Sequence, residues 1–368
     1  MRKTIALIAV ATSLSCGTAG LVSVNEENVQ RGGTATTTTT TTIGGASTSS
    51  STSTTTKPNT TETANSSAQV EKTPAAGILG SGRTVTLKKT VEFLASDDRG
   101  GRDVGSPGIE SAAVYIEGRF KRSKLKPYFG SSYRSNFEVK GVDAFNVVAM
   151  IEGSDPTLKN EIIVIGAHYD HIGAGAAVNG DVIANGANDN AAGTATVLAI
   201  ADHFAKANNN KRTLVFALFS AEEKGLLGSS DLAQRMKRKG ANVYAMFNVE
   251  MVGVPMEGKD HIVYCSGYDL SNIADIFNGY TGTKVIGFLP KAKEFNLFQR
   301  SDNYPFYKVF KVPAHTVSSF DFTNYDYYHK VDDEPSQMDY VHMQKVIDQL
   351  VPGIAGMANS ATKEIKMK

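Results

Sequence analysis

Tryptophan is absent from the 368 residues, cysteine occurs only twice, and lysine plus arginine (38) exceed aspartate plus glutamate (37) by one charge. A net charge of +1 with no basic stripe and no aromatic-interleaved cluster argues against nucleic acid as a partner. Neither cysteine belongs to a Cys-x-x-Cys metal knuckle, and Cys265, closing the apolar run from His261, reads as a buried small hydrophobe. The chain has no Gly-x-Ser-x-Gly elbow for a serine hydrolase, no His-Glu-x-x-His helix for a single-zinc protease, and no internal repeat. The early apolar stretch Ile5 to Ala11 is too short to span a bilayer as a stable helix.

What the first residues do contain is a basic start, Arg2 and Lys3, then that apolar stretch, then small residues, which predicts an export signal over residues 1–16. Cys16 in Ser13-Leu-Ser-Cys-Gly17 resembles a bacterial lipoprotein cleavage box. The expected location is a bacterial membrane, facing the periplasm or the exterior, with a lipid anchor on Cys16. Ser13 stands where such boxes usually carry an aliphatic residue, so cleavage and secretion is the alternative. Lipidation would leave Cys265 without a disulfide partner. Residues 17–83 are expected to form a disordered tether, because threonine, serine, alanine and glycine dominate from Gly32 to Ala75, with unbroken threonine from Thr36 to Thr42. Too little apolar surface is available there to offset the entropy of ordering. Asn59-Thr-Thr61 and Asn65-Ser-Ser67 fit the glycosylation acceptor pattern of a eukaryotic stalk, but the lipoprotein-like start favours the tether.

From residue 84 to 368 the pattern is that of one α/β domain. Apolar, β-rich runs at Asn146 to Ile151, Ile162 to Ala167, Leu214 to Phe219, Val243 to Val249, Ile262 to Cys265 and Ala314 to Val317 predict strands. Helices are predicted at Gly108 to Leu125, Ala191 to Ala207, Leu226 to Lys239, Leu270 to Tyr280 and Gln337 to Met357. Continuous apolar strands imply a sheet covered on both faces, hence a three-layer α/β/α sandwich with a largely parallel mixed central sheet. Ligands of such a sheet gather outside the carboxyl ends of its strands.

The polar clusters fall at those ends. His168-Tyr-Asp-His171 follows the second predicted strand, Glu222-Glu223 the third, and Glu250 closes the fourth, while Asp189 lies in a Gly/Asn-rich loop and His329 in Tyr325-Asp-Tyr-Tyr-His329. Each has a bland reading: Glu-Glu favours a solvated helix start, His168 a hydrogen-bonded structural histidine, and Asp189 a helix cap. Together, two histidines, an aspartate and two glutamates supply the nitrogen and hard oxygen donors that suit zinc or a similar divalent ion. Five ligands exceed the need of one open tetrahedral ion. Two ions sharing a bridging carboxylate would each receive one histidine and one private carboxylate, with three carboxylates and a bridging hydroxide balancing the charge.

From about Leu94 to Leu350 the chain resembles the co-catalytic di-zinc aminopeptidases, a family that includes bacterial leucyl aminopeptidases and glutamate carboxypeptidase. The resemblance lies in Gly166-Ala-His-Tyr-Asp170, Gly186-Ala-Asn-Asp-Asn-Ala-Ala-Gly193, Glu222-Glu-Lys-Gly-Leu-Leu-Gly-Ser229, Asn248-Val-Glu-Met-Val-Gly253, Ser301-Asp-Asn-Tyr-Pro305 and Tyr328-His-Lys-Val-Asp-Asp333, with Leu94 to Arg102 and Gly105-Ser-Pro-Gly108 as a lead-in. It implies a zinc-exopeptidase fold and two zinc ions per chain. His168 and Glu250 would hold one ion, Glu223 and His329 the other, and Asp189 would bridge them. It further implies Glu222 as the general base, Asp170 as the carboxylate on the far nitrogen of His168, Tyr328 as a donor to the tetrahedral oxyanion, and a cis peptide between Asp189 and Asn190. Glu250 departs from the family pattern, since most members carry aspartate there, and the extra methylene requires compensation in its surroundings. Asp302 and Asp333 read as solvated or capping loop carboxylates, and His171, His203, His261, His315 and His342 as structural.

The implied activity is an exported aminopeptidase acting on peptides with a free N-terminus, its preference set by loops such as residues 284–300. Two other functions share the fold. A glutaminyl cyclase uses one zinc and usually carries tryptophans around the site, where this chain has none. A non-catalytic surface relative would generally have lost ligands, whereas all five positions keep coordinating side chains.

Overall fold

The computed structural model describes residues 77–368. The expected export signal, Cys16 and the tether up to residue 76 lie outside the described residues, and the first described helix runs through residue 84. The strands are β1 (Lys126–Pro127), β2 (Arg134–Val139), β3 (Val142–Ile151), β4 (Glu161–His168), β5 (Gly173–Val178), β6 (Asp181–Ala184), β7 (Thr213–Phe219), β8 (Asn242–Glu250), β9 (Val263–Cys265), β10 (Ile286–Gly287) and β11 (Ala314–Ser318). The helices are α1 (Gly77–Leu94), α2 (Pro107–Arg122), α3 (Gly193–Ala207), α4 (Leu227–Arg238), α5 (Ile273–Thr281), α6 (Pro290–Glu294), α7 (Asn303–Phe310) and α8 (Tyr340–Asn359). Among the described residues no helix is long and apolar enough to cross a membrane.

Nine strands form the main sheet in the order β1-β3-β7-β4-β8-β11-β9-β10, with β2 also paired to β3. The centre, β7-β4-β8-β11, is parallel, whereas β1, β2 and β3 on one side and the β11-β9 pair on the other are antiparallel. The central strands are buried on both faces, so β7 and the middles of β4 and β8 are mostly apolar, whereas β11 carries His315, Thr316 and Ser318 as buried polar residues. In β4, Ile163, Ile165 and Ala167 join the core beneath α1, α2, α3, α5 and α8. Ile162 and Val164 join the opposite core, built with Leu232 and Met236 of α4 and Phe306 of α7. β7 splits the same way, Leu214, Phe216 and Leu218 against Val215, Ala217 and Phe219. This alternation makes the three layers.

All six predicted strands are present. Several elements carried no adequate signal. β5 and β6 form a separate two-stranded ribbon with mostly exposed residues. α1 is rich in glycine and threonine, and α7 is an eight-residue helix of mostly aromatic and apolar residues. The predicted helix from Ala191 starts at Gly193, because Ala187–Ala192 form an irregular turn containing the Asp189–Asn190 peptide, which is cis.

Candidate metal centre

Parallel pairing sets the site. His168 at the end of β4 lies opposite Phe219 at the end of β7, and Glu250 at the end of β8 lies opposite Ser318 at the end of β11. The chain leaving β7 therefore carries Glu222 and Glu223 past His168, on the same sheet edge as Glu250. Asp189 enters from the turn before α3, and His329 from the loop after β11. Several residues at these junctions adopt left-handed backbone without being glycine: Arg102 (φ 50°), Ala221 (59°), Met251 (45°) and His329 (57°). Such conformations cost about 1–2 kcal/mol each and persist where surrounding contacts over-determine them.

The five predicted ligands meet. His168 Nε2 lies 2.9 Å from Glu250 Oε1 and 3.2 Å from Asp189 Oδ1. His329 Nε2 lies 3.1 Å from Asp189 Oδ2 and 3.2 Å from Glu223 Oε2. Asp189 thus turns a different oxygen toward each histidine. Two ligand atoms of one tetrahedral zinc, at bonds near 2.1 Å, stand about 3.4 Å apart, so each of these histidine–carboxylate pairs fits zinc in donor type and spacing. His168, Asp189 and Glu250 form one compact group of donors, and Asp189 and Glu223 form another with His171. Glu222 lies on the cleft side, and one atom each from His168, Glu222 and Glu223 fall within 4.8 Å of one another.

The electrostatics also suit cations. Burial opposes charge on both histidines, yet the carboxylates prevail. His168 is pushed well above its ordinary pKa by Glu250 and Glu222, and His329 to about 10 by Asp189 and Glu223. Asp189 is desolvated but held well below the usual carboxylate range by hydrogen bonds to both imidazoles. Glu222 is pushed well above that range, first by desolvation and then by Glu250, Asp302 and Glu223, with His168 opposing.

Asp170 is placed differently from the expectation. The far nitrogen of His168 donates to the main-chain oxygen of Asp170 at 3.1 Å, while the nearer carboxylate oxygen is 3.6 Å away. The carboxylate faces the next strand's exit and accepts the backbone N–H groups of Glu222 at 3.2 Å and Glu223 at 3.3 Å. It therefore sets the course of the glutamate pair, while the Nδ1–H bond to the main chain turns Nε2 of His168 toward Asp189 and Glu250, the orientation a ligand needs.

Glu250 is accommodated by Ser301, whose hydroxyl donates to Oε2 at 2.7 Å and is itself met by Asn248 Nδ2 at 2.8 Å. Tyr328 lines the cleft, its ring 4.0 Å from that of His329 and 5.7 Å from that of Phe320. Asp333 is buried rather than solvated, accepting from Asn188 N at 2.7 Å, Asp189 N at 3.0 Å and Tyr325 Oη at 2.5 Å, so it holds the backbone at Asp189. Asp302 is also fully buried, and burial pushes its carboxyl up to about 8 against the opposing pull of His168 and Ser229. Arg102 lies fully buried, donating to the carbonyls of Leu94, Tyr169, Asn185 and Gly186 at 2.6–2.9 Å. It pins three of the segments that shape the site.

His171 also belongs to the centre. It is fully buried, with Nδ1 2.9 Å from Glu223 Oε1. The signal available in the sequence was its spacing, three residues after His168 across the turn that ends β4.

The family model described as Peptidase family M28 matches residues 146–352. A probable leucine aminopeptidase of Arthroderma otae is 35% identical over 160 residues, 41% of this chain and 40% of that protein. A probable zinc metalloprotease of Pyrenophora teres is 40% identical over 149 residues, 39% of this chain and 30% of that protein. The match thus spans well under half the length of these curated relatives. Among solved structures, the LapA aminopeptidase of Legionella pneumophila aligns over 76% of this chain and 73% of its own, with a TM-score of 0.59 at 19% identity. A glutaminyl cyclase of Fimbriiglobus ruber aligns over 74% and 94%, with a TM-score of 0.58 at 19% identity. These structural likenesses support the fold alone. Since the family model covers more than half of the sequence, the chain belongs to peptidase family M28.

Proposed function

We propose that the protein is a zinc-dependent aminopeptidase that removes the first residue from peptides with a free N-terminus. The observation that carries this reading is Asp189, which faces His168 with one oxygen and His329 with the other, each histidine having its own glutamate. The names of the curated relatives, leucine aminopeptidase and zinc metalloprotease, support it. In this reading His168, Asp189 and Glu250 hold one zinc ion, and His329, Asp189 and Glu223 a second. Bound there, zinc would lower the pKa of water and polarise the scissile carbonyl.

The remaining work falls to the chain's own groups. Glu222, whose surroundings raise its proton affinity, takes a proton from the attacking water and delivers it to the leaving amine. Tyr328, packed on His329, offers its hydroxyl to the developing oxyanion. The cleft has a volume of about 510 Å³ and carries Met251, Tyr264, Leu297, Phe320 and Phe322 beside the carboxylates. An apolar first side chain fits such walls, and the carboxylates favour the charged N-terminal amine.

The test is mass spectrometry of digests of free and N-acetylated forms of the same peptides. Stepwise loss of the first residue from the free forms alone, abolished by a chelator and restored by zinc, is expected. Internal cleavage of the acetylated forms, or indifference to chelation, would exclude the proposal. A cyclase would instead release ammonia from N-terminal glutamine without taking up water.

A further inference from the structure

His171 has a fixed place that the proposed chemistry does not use. Its ring is fully buried and meets the ring of His329 edge-on at 5.6 Å between centroids. On its other side is Gly186, where φ is +58° and an added Cβ would lie 2.5 Å from His171 Cγ. Glycine is thus required twice over, for its left-handed backbone and for the space the imidazole fills. The carbonyl of Gly186 is tied in turn to Arg102 Nη2 at 2.9 Å, so the wall behind the ring is itself anchored.

In front of the ring, Nδ1 lies 2.9 Å from Glu223 Oε1 and 3.8 Å from Asp189 Oδ2. Glu223 therefore divides its oxygens, Oε1 to His171 and Oε2 to His329. Glu250 does the same on the other side of Asp189, with Oε1 toward His168 and Oε2 held by Ser301. A carboxylate left free to rotate can offer either oxygen or both. One whose outer oxygen is already engaged presents the other in a single direction.

We propose that His171 is a positioning residue that holds Glu223 as a one-oxygen ligand, and that Ser301 does the same for Glu250, so that each ion site has its own dedicated clamp. The proposal rests on the two-ion reading of the centre. Loss of a partner that orients a metal ligand typically weakens metal binding by about 10–100-fold, and the clamps here act on different sites.

The experiment is stepwise zinc titration of the metal-free full-length protein against a chromophoric chelator, with cobalt(II) absorption recorded at saturation. His171→Phe keeps a ring without a donor, whereas His171→Asn can still donate from nearly the position of Nδ1. The expected result is one step weakened by about 10–100-fold in His171→Phe, largely restored in His171→Asn, with the cobalt spectrum of His171→Asn matching the wild type. Ser301→Ala should weaken the opposite step and remains informative if His171→Phe does not fold. Both steps unchanged in His171→Phe would overturn the proposal. So would failure of His171→Asn to restore the step together with a changed cobalt spectrum, which would make His171 a ligand. Failure of the underlying reading shows separately, in a wild-type protein that takes up fewer than two ions.

Discussion

At the scale of single residues, Glu222 and Glu223 show how adjacent identical side chains acquire different work. Glu223 faces His171 and His329 with its two oxygens, whereas Glu222 has no such pair and sits in the cleft wall under desolvation and the field of other carboxylates. Asp170 sets this division by receiving both backbone N–H groups. Glu222→Gln removes the proposed proton carrier while keeping size and polarity. It should lower kcat by about 10²–10⁴-fold and leave zinc content at the wild-type value, which steady-state kinetics and elemental analysis of the same preparation would measure. Full activity would overturn the proposed role of Glu222 as the base.

The elements explain a different sensitivity. β11 is tied to the segment after β9 by His315, whose Nδ1–H donates to the Ser266 carbonyl at 2.8 Å and whose Nε2 accepts from the Ser271 hydroxyl at 2.7 Å. Burial lowers the His315 pKa to about 4, against the weaker upward pull of the Ser266 carbonyl, and burial lowers His342 to about 4 as well. In the unfolded chain a histidine titrates near 6.5. Above that value His315 is neutral in both states and pH has no effect through it. Between about 6.5 and 4 the unfolded chain takes the proton first, so stability falls with acidification, by on the order of 3 kcal/mol from His315 once both states are charged. Urea unfolding midpoints followed from about pH 7 to about pH 4 should therefore decline in the wild type and decline less steeply in His315→Gln, even if that variant starts lower. Equal slopes would assign the acid sensitivity to other groups.

For the whole molecule, the centre concentrates like charge at one edge of the sheet. Asp170, Asp189, Glu222, Glu223, Glu250, Asp302 and Asp333 are all buried or partly buried there, with Arg102 as the buried guanidinium among them. A ligand that binds only the folded state stabilises it by mass action, about 4 kcal/mol at a thousandfold excess over Kd. For a chain of this size that corresponds to roughly 5–7 °C in Tm. Calorimetry of the metal-free protein with and without zinc should show a rise of that order, larger for zinc than for magnesium because the donors include imidazole nitrogen. No rise with zinc would overturn the proposed metal centre.

The sequence by itself determined the sandwich and its ligand-bearing edge. Strands buried on both faces must be mostly apolar, and a chain that reverses after each of them leaves its polar residues in the loops where β4, β7 and β8 end. His168, Asp189, Glu223, Glu250 and His329 could be named as candidates for that reason, together with the order of their motifs, and the fold brings them together. The tertiary structure decided what depends on distance across the fold. Ser301 reaches Glu250 over 51 positions and Asp333 reaches Asp189 over 144; periodicity cannot signal such contacts. It decided that Asp302 and Asp333, plausible surface carboxylates in a loop-rich sequence, are buried. It also turned His171 inward, because the exit from β4 places that ring between Gly186 and Glu223, and only the packed loops fix which way an imidazole at a strand end points.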